Sequence, residues 1–210
     1  MSITSASTDR QADPSASLRE RKKRRTRDHL YDVALELFAD RPYAEVTVDE
    51  ICERAEVGRA TFFRFYGSKA GLLLEFNRRL AEAVAERMEK GGTATATEDL
   101  WLVQDEVALT WGSSGPAMRE LAREYIRNAT ATDLASETPY SELLDLVEAI
   151  IRRGQSTGEF ATTHHPRFVS WVVLNALSAV TAGWLGGSDD DALIHGTHDA
   201  VQLLLNGLRA

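Results

Sequence analysis

Residues 47–69, TVDEICERAEVGRATFFRFYGSK, decide the fold. Thr47 and Glu50 stand three apart in a capping-box pattern, in which each side chain satisfies a backbone amide at a helix start. Val48, Ile51, Cys52 and Ala55 follow at helical spacing, which predicts a short helix beginning at Thr47. Glu56-Val57-Gly58 predicts the turn, with Val57 as a buried pivot and Gly58 able to take an unusual backbone angle. A second helix is then expected from Arg59 to Tyr66, and the pair has the layout of a helix-turn-helix reader of DNA.

The second helix carries the chemistry. Phe62, Phe65 and Tyr66 fall at i, i+3 and i+4 and predict an inward face, leaving Arg59, Ala60, Thr61, Phe63 and Arg64 on or near the outward one. Two arginines, a threonine and a small residue suit a major groove: Arg grips guanine through two bonds, and Thr or Ala meets a thymine methyl. Lys69 is placed in the first turn of a following helix capped by Ser68, where the helix dipole disfavours a cation by about 0.3–1 kcal/mol. A phosphate lying across that helix end reverses the sign. The plain alternative is a solvated lysine that tolerates the penalty.

From Arg27 to Leu74 the chain runs DHLYDVALELFADR, PYAEVTV, DEICERAEVGRATFFRFY and GSKAGLL, in that order. In this it resembles the tetracycline-repressor (TetR) family of one-component bacterial regulators. The resemblance implies that Thr47, Arg59, Thr61, Phe63, Arg64 and Lys69 lie at positions that commonly touch DNA. Three residues depart from the family pattern: Pro42 stands where glycine is usual, Phe63 where tyrosine is frequent, and Phe65-Tyr66 reverses the common aromatic order. Phe63 lacks a hydroxyl for phosphate, so apolar contact is all it offers.

With 210 residues and 43% hydrophobic content, one or two domains with an ample core are expected. The single cysteine, Cys52, excludes an intramolecular disulfide, fits a reducing cytoplasm and is expected to pack inward. Residues 1–18 read as a disordered tail and not as a signal peptide. The net charge of −8 conceals an asymmetry: residues 19–69 hold 12 basic and 10 acidic side chains, residues 70–210 hold 11 and 20. The basic excess is concentrated in RERKKRRTR, residues 19–27, expected to precede the first helix as an arm that neutralises phosphates or, alternatively, as a solvated tail.

Beyond Leu74 the pattern is amphipathic and helical throughout, making the protein all-α: a helix-turn-helix DNA-binding domain with a basic arm over 19–69, and an effector-binding and dimerisation domain over 70–210. Helices are expected near 68–90, 97–112, 116–131, 139–157, 166–186 and 189–209. Residues 168–188 carry no charge over 21 positions, enough to span a bilayer, but Ser170, Asn175, Ser178 and Thr181 favour a buried soluble helix. Ala176, Ala179, Ala182 and Gly183 form a small-residue face, and the last helix offers Ile194, Val201, Leu204, Leu205 and Leu208. These predict a homodimer through the last two helices, alternatively the closing of the chain's own core. A dimer lets two recognition helices read a palindromic operator with half-sites about 34–36 Å apart or a multiple of that.

Trp101, Trp111, Met118, Tyr125 and Trp171, with Asn175 and Gln104 to orient a guest, are the expected effector site, an expectation that rests mainly on the resemblance. His164-His165 before Pro166 has no third ligand nearby and reads as a surface turn, so no metal is expected. No phosphate loop, nucleophile elbow or motif-bearing carboxylate pair is present, and neither catalysis nor a cofactor is expected. The reading is a cytoplasmic, dimeric transcriptional regulator, most simply a repressor released from its operator by a small molecule. The alternatives are a DNA-binding dimer without such an effector and, further off, an all-helical small-molecule carrier.

Overall fold

The computed structural model describes residues 14–91, 95–128, 141–187 and 190–208, among which all regular structure is helical. Helix α1 spans Pro14–Asp40 and runs straight through the basic stretch 19–27. That stretch was expected to precede the first helix, and residues 14–18 to belong to a disordered tail. The helix instead continues because Arg, Lys and Glu are good helix formers and neither Gly nor Pro interrupts them. Residues 1–13 lie outside the described part. Further along, Leu30, Tyr31, Val33, Ala34, Leu37 and Phe38 form the buried stripe of α1.

After a 3-10 turn at Tyr43–Glu45 come α2 (Val48–Arg54) and α3 (Arg59–Tyr66). Both arms of the capping box are made: Thr47 Oγ1 accepts from the Glu50 amide at 3.2 Å, and Glu50 Oε2 accepts from the Thr47 amide at 2.8 Å. The Thr47 amide bond, with Arg41 and the Thr47 hydroxyl, lowers the Glu50 carboxyl to about 2. At its far end α2 closes in a Schellman motif, Val57 N donating to Cys52 O at 2.9 Å and Glu56 N to Glu53 O at 3.1 Å. The left-handed residue this motif requires is Glu56, at φ 54°, whereas Gly58 has an ordinary extended conformation as the N-cap of α3. The expected site of unusual backbone was therefore two residues off. Val57 is half-buried against the core.

Helix α4 spans Leu72–Gly91, starting four residues later than expected. Gly67, at φ 68°, ends α3, and residues 68–71 are a tight turn in which Ser68 Oγ accepts from the Gly71 amide at 3.1 Å. A β carbon on Gly71 would lie 1.8 Å from the Tyr66 carbonyl oxygen, so only glycine permits this approach of α3 and α4.

The remaining helices are α5 (Ala96–Gly112), α6 (Pro116–Asn128), α7 (Ser141–Thr157), α8 (Pro166–Leu185) and α9 (Asp190–Leu208). They match the expected segments, of which residues 129–131, 139–140, 189 and 209 lie outside the described part. A second capping box, Thr95 with Glu98, opens α5, and Glu159 accepts from the Ala96 and Thr97 amides at 3.1 and 3.2 Å. The apolar α8 is long enough to cross a membrane, yet it packs between α7 and α9 and buries Val169, Val173, Leu174, Leu177, Trp184 and Leu185. A β carbon on Gly196 of α9 would come within 2.7 Å of Val180 Cγ1 on α8, so this pair is seated at glycine distance. Of the five apolar residues assigned to a dimer face on α9, Val201, Leu205 and Leu208 are buried in the chain's own core. One hydrophobic cluster runs from Leu30 to Leu208, joining the first three helices to the rest.

Candidate nucleic-acid interface and ligand cavity

Helix α3 is held by one face and open on the other. Phe62 is fully buried, Tyr66 is buried and donates its hydroxyl to the Arg27 carbonyl at 2.6 Å, and their rings lie 5.1 Å apart. Phe65, expected inward, sits half-buried at the core edge with the Arg64 guanidinium 5.3 Å from its ring centre. Arg59, Ala60, Phe63 and Arg64 are exposed and Thr61 is half-exposed, so five of the seven residues expected to meet DNA share one open face. Arg59 pairs with Asp49 of α2 at 2.6 Å and lies 5.8 Å from the Phe63 ring centre, which presets its direction. Thr47 is exposed, but its hydroxyl is engaged with Glu50 as both donor and acceptor.

Lys69 is held within the chain. Its Nζ donates to Tyr43 O at 2.6 Å and Val46 O at 2.8 Å, and lies 3.8 Å from the Tyr43 ring centre. Burial lowers its pKa, against the raising influence of Glu124 and Glu50. The ammonium is turned inward onto these two carbonyls. It pins the 43–46 link, because carbonyls left unpaired by the turn after Pro42 need a donor there.

A carboxylate missed at the sequence level ties the reader to α4. Glu75 is 2% exposed and meets three guanidinium groups: Arg27 Nε of α1 at 3.1 Å, Arg79 Nε at 3.2 Å, and Arg78. Arg78 also pairs with Asp28 at 3.1 Å and Arg79 with Asp32 at 2.8 Å, both on α1. Burial opposes ionisation of Glu75, but the three arginines outweigh it and hold the carboxyl below its usual range. The spacing of Glu75 to Arg78 and Arg79 on one helix was a legible signal. The approach of Arg27, 48 positions earlier, was not.

Between α4, α5, α6, α7 and α8 lies a cavity of about 80 Å³. Leu73, Asn77 and Leu80 form one wall, Leu174, Leu177 and Thr181 another, with Val107 and Trp111 from α5 and Tyr125 and Ile126 from α6. Of the seven expected effector residues, only Trp111 and Tyr125 line it. Met118 is buried in the core, Trp101 stacks on His198 at 4.7 Å, and Asn175 donates to the Trp171 carbonyl at 2.8 Å, both half-buried along α8. Gln104 is buried and donates to Thr197 Oγ1 at 3.0 Å. Bulky residues marked the core in general. The actual lining came from leucines whose convergence no sequence spacing reveals. His165 Nδ1 accepts from the Arg167 amide and caps α8, and no metal-binding cluster exists among the described residues.

Helix α6 lies between the cavity and the 43–46 link. Ala122, Tyr125 and Ile126 face the cavity, while Glu120, Glu124 and Arg127 line a groove with Tyr43, Ala44 and Lys69.

Residues 30–76 match the family described as bacterial regulatory proteins, tetR family. The HTH-type transcriptional regulator TcmR of Streptomyces glaucescens is 44% identical over 72 residues, which cover 34% of this chain and only 32% of that protein. The putative mycofactocin biosynthesis transcriptional regulator MftR of Mycobacterium tuberculosis is 25% identical over 166 residues, 79% of this chain and 82% of that one. Among solved structures, Thermus thermophilus FadR, a TetR-family transcriptional repressor in complex with lauroyl-CoA, superposes with a TM-score of 0.70 at 21% identity, covering 88% of this chain and 95% of that one. Bacillus subtilis FadR in complex with stearoyl-CoA gives 0.61 at 20% identity, covering 86% and 98%.

Proposed function

We propose, for a chain that belongs to the tetR family of bacterial regulatory proteins, a cytoplasmic repressor that binds a palindromic operator as a homodimer and is released by a small molecule held in the 70–210 half. The observation that carries the DNA-binding reading is the open face of α3: Arg59, Ala60, Thr61, Phe63 and Arg64 exposed or half-exposed on an eight-residue helix whose other face is sealed by Phe62 and Tyr66. Arginine and threonine on a groove-sized helix supply base-edge donors and methyl contacts. The cations of α1 between Arg19 and Arg25 extend the footprint toward the backbone phosphates.

The effector reading rests on α4. Its Leu73, Asn77 and Leu80 line the cavity, while Glu75, between them, grips Arg27 of α1. A guest that moves this helix moves the reader with it, which changes the separation of two recognition helices in a dimer. A second reading, an acyl-CoA effector, draws on the FadR complexes and on the leucine lining, which suits an acyl chain.

The test is selection of bound fragments from genomic DNA, followed by anisotropy titration of the recovered duplex. A palindromic site bound by a dimer, with affinity falling as salt rises, is expected. Equal affinity for every duplex sinks the repressor reading.

A further inference from the structure

The cavity beneath α6 has no charge on it. None of its described lining residues is acidic or basic, and its polar side chains are Asn77, Trp111, Tyr125, Ser178 and Thr181. The outer edge is equally neutral: Ile126 and Ala182 are exposed there and Ser178 is half-exposed. Two basic residues of neighbouring α6 are already engaged, Arg123 Nε with the Leu185 carbonyl at 2.6 Å and Arg127 with Glu120 at 3.0 Å and with Glu124. The half of the chain from residue 70 onward carries nine more acidic than basic side chains.

We propose that the effector is an uncharged, largely apolar small molecule carrying a hydrogen-bond donor, an inference that rests on the effector reading above. An anionic head group finds no counter-ion among the described residues that line this cavity, and loses hydration there. The donor follows from Thr181, whose hydroxyl hydrogen goes to the Leu177 carbonyl at 2.9 Å, so that its oxygen can only accept. The volume sets a second condition. A cavity of about 80 Å³ is smaller than the ~150 Å³ that admits benzene, so the guest is compact or slender and pushes its walls apart on entry.

The test uses the full chain and three probes that share an eight-carbon chain: 1-octanol, octanoate and octanoyl-CoA. Binding is read by calorimetry and by tryptophan fluorescence, and operator affinity is read on the same samples. Octanol is expected to bind at least about tenfold more tightly than octanoate or octanoyl-CoA, since a buried unpaired charge is strongly disfavoured. Thr181→Val is expected to weaken octanol by about 3- to 10-fold, the scale of one hydrogen bond, and to keep the wild-type helical content. Tighter binding of either anion, or binding of none of the three, overturns the proposal. Octanol binding with unchanged operator affinity supports this ligand class and instead removes the regulatory reading. Unchanged octanol affinity in Thr181→Val overturns the donor requirement.

Discussion

The Lys69 ammonium lies 2.6 Å from the Tyr43 carbonyl oxygen and 3.8 Å from the centre of the Tyr43 ring. The lysine after the recognition helix thus braces the link between α1 and α2. Burial also pushes the Tyr43 hydroxyl up to about 12, so that ring is neutral at ordinary pH.

Lys69→Met is therefore expected to lower stability in urea unfolding by about 1–3 kcal/mol, the cost of leaving buried partners unsatisfied. Operator affinity should fall on all sequences alike, with the salt slope unchanged. A variant of wild-type stability whose salt slope is shallower by about one phosphate contact would return Lys69 to the DNA backbone.

Arg59→Ala and Arg64→Ala are each expected to lose about 1–3 kcal/mol on the selected operator and to relax preference at one symmetric pair of bases. Asp49→Asn separates aiming from contact, because Asp49 orients Arg59 without being placed against DNA. It should reduce discrimination at the Arg59 base pair only. Uniform weakening on every duplex would assign these arginines to phosphates.

Acid should unfold the protein partly through two carboxylates. Glu50 is lowered from 4.5 to about 2, first by the Thr47 amide, and Glu75 is lowered because three arginines outweigh its burial. Since both pKa values are depressed by folding, their stabilisation is fully present above the unfolded value of 4.5 and is lost as pH falls toward the folded values. Stability should be flat near neutrality and decline below about pH 5. Glu50→Gln should flatten that decline between 4.5 and 2. Glu75→Ala should lower stability at pH 7, because it removes the carboxylate shared by Arg27, Arg78 and Arg79, although Arg78 and Arg79 keep Asp28 and Asp32 as partners. An unaltered acid limb in Glu50→Gln would show that the capping box is not retained in solution.

Ala179 and Gly183 are exposed on α8, and Leu203 on α9 is 74% exposed. Ala179→Glu or Gly183→Glu should produce monomers in sedimentation that keep their helical content and lose operator binding. The change is tolerated in a protomer that leaves these positions open, and is costly where a second helix packs on them. A variant that remains dimeric places the interface elsewhere.

The sequence by itself determined the local elements, because caps, periodicity and turn residues act over three or four positions. Thr47 with Glu50 set the start of α2, Phe62 with Tyr66 set the inner face of α3, and the apolar period set the helices that follow. Helix starts were less legible where a close approach intervened. Gly71 looked like part of a long helix, and only the Tyr66 carbonyl beside it shows why α4 begins at Leu72. Tertiary structure alone decided what long side chains do, since a lysine or glutamate reaches several ångströms and its partner is chosen by packing. Lys69 found carbonyls 26 and 23 positions earlier, Glu75 found Arg27, and the cavity drew on leucines from three helices while only two of seven expected residues reached it. Short-range hydrogen bonds fixed the secondary structure; the convergence of distant faces fixed the site.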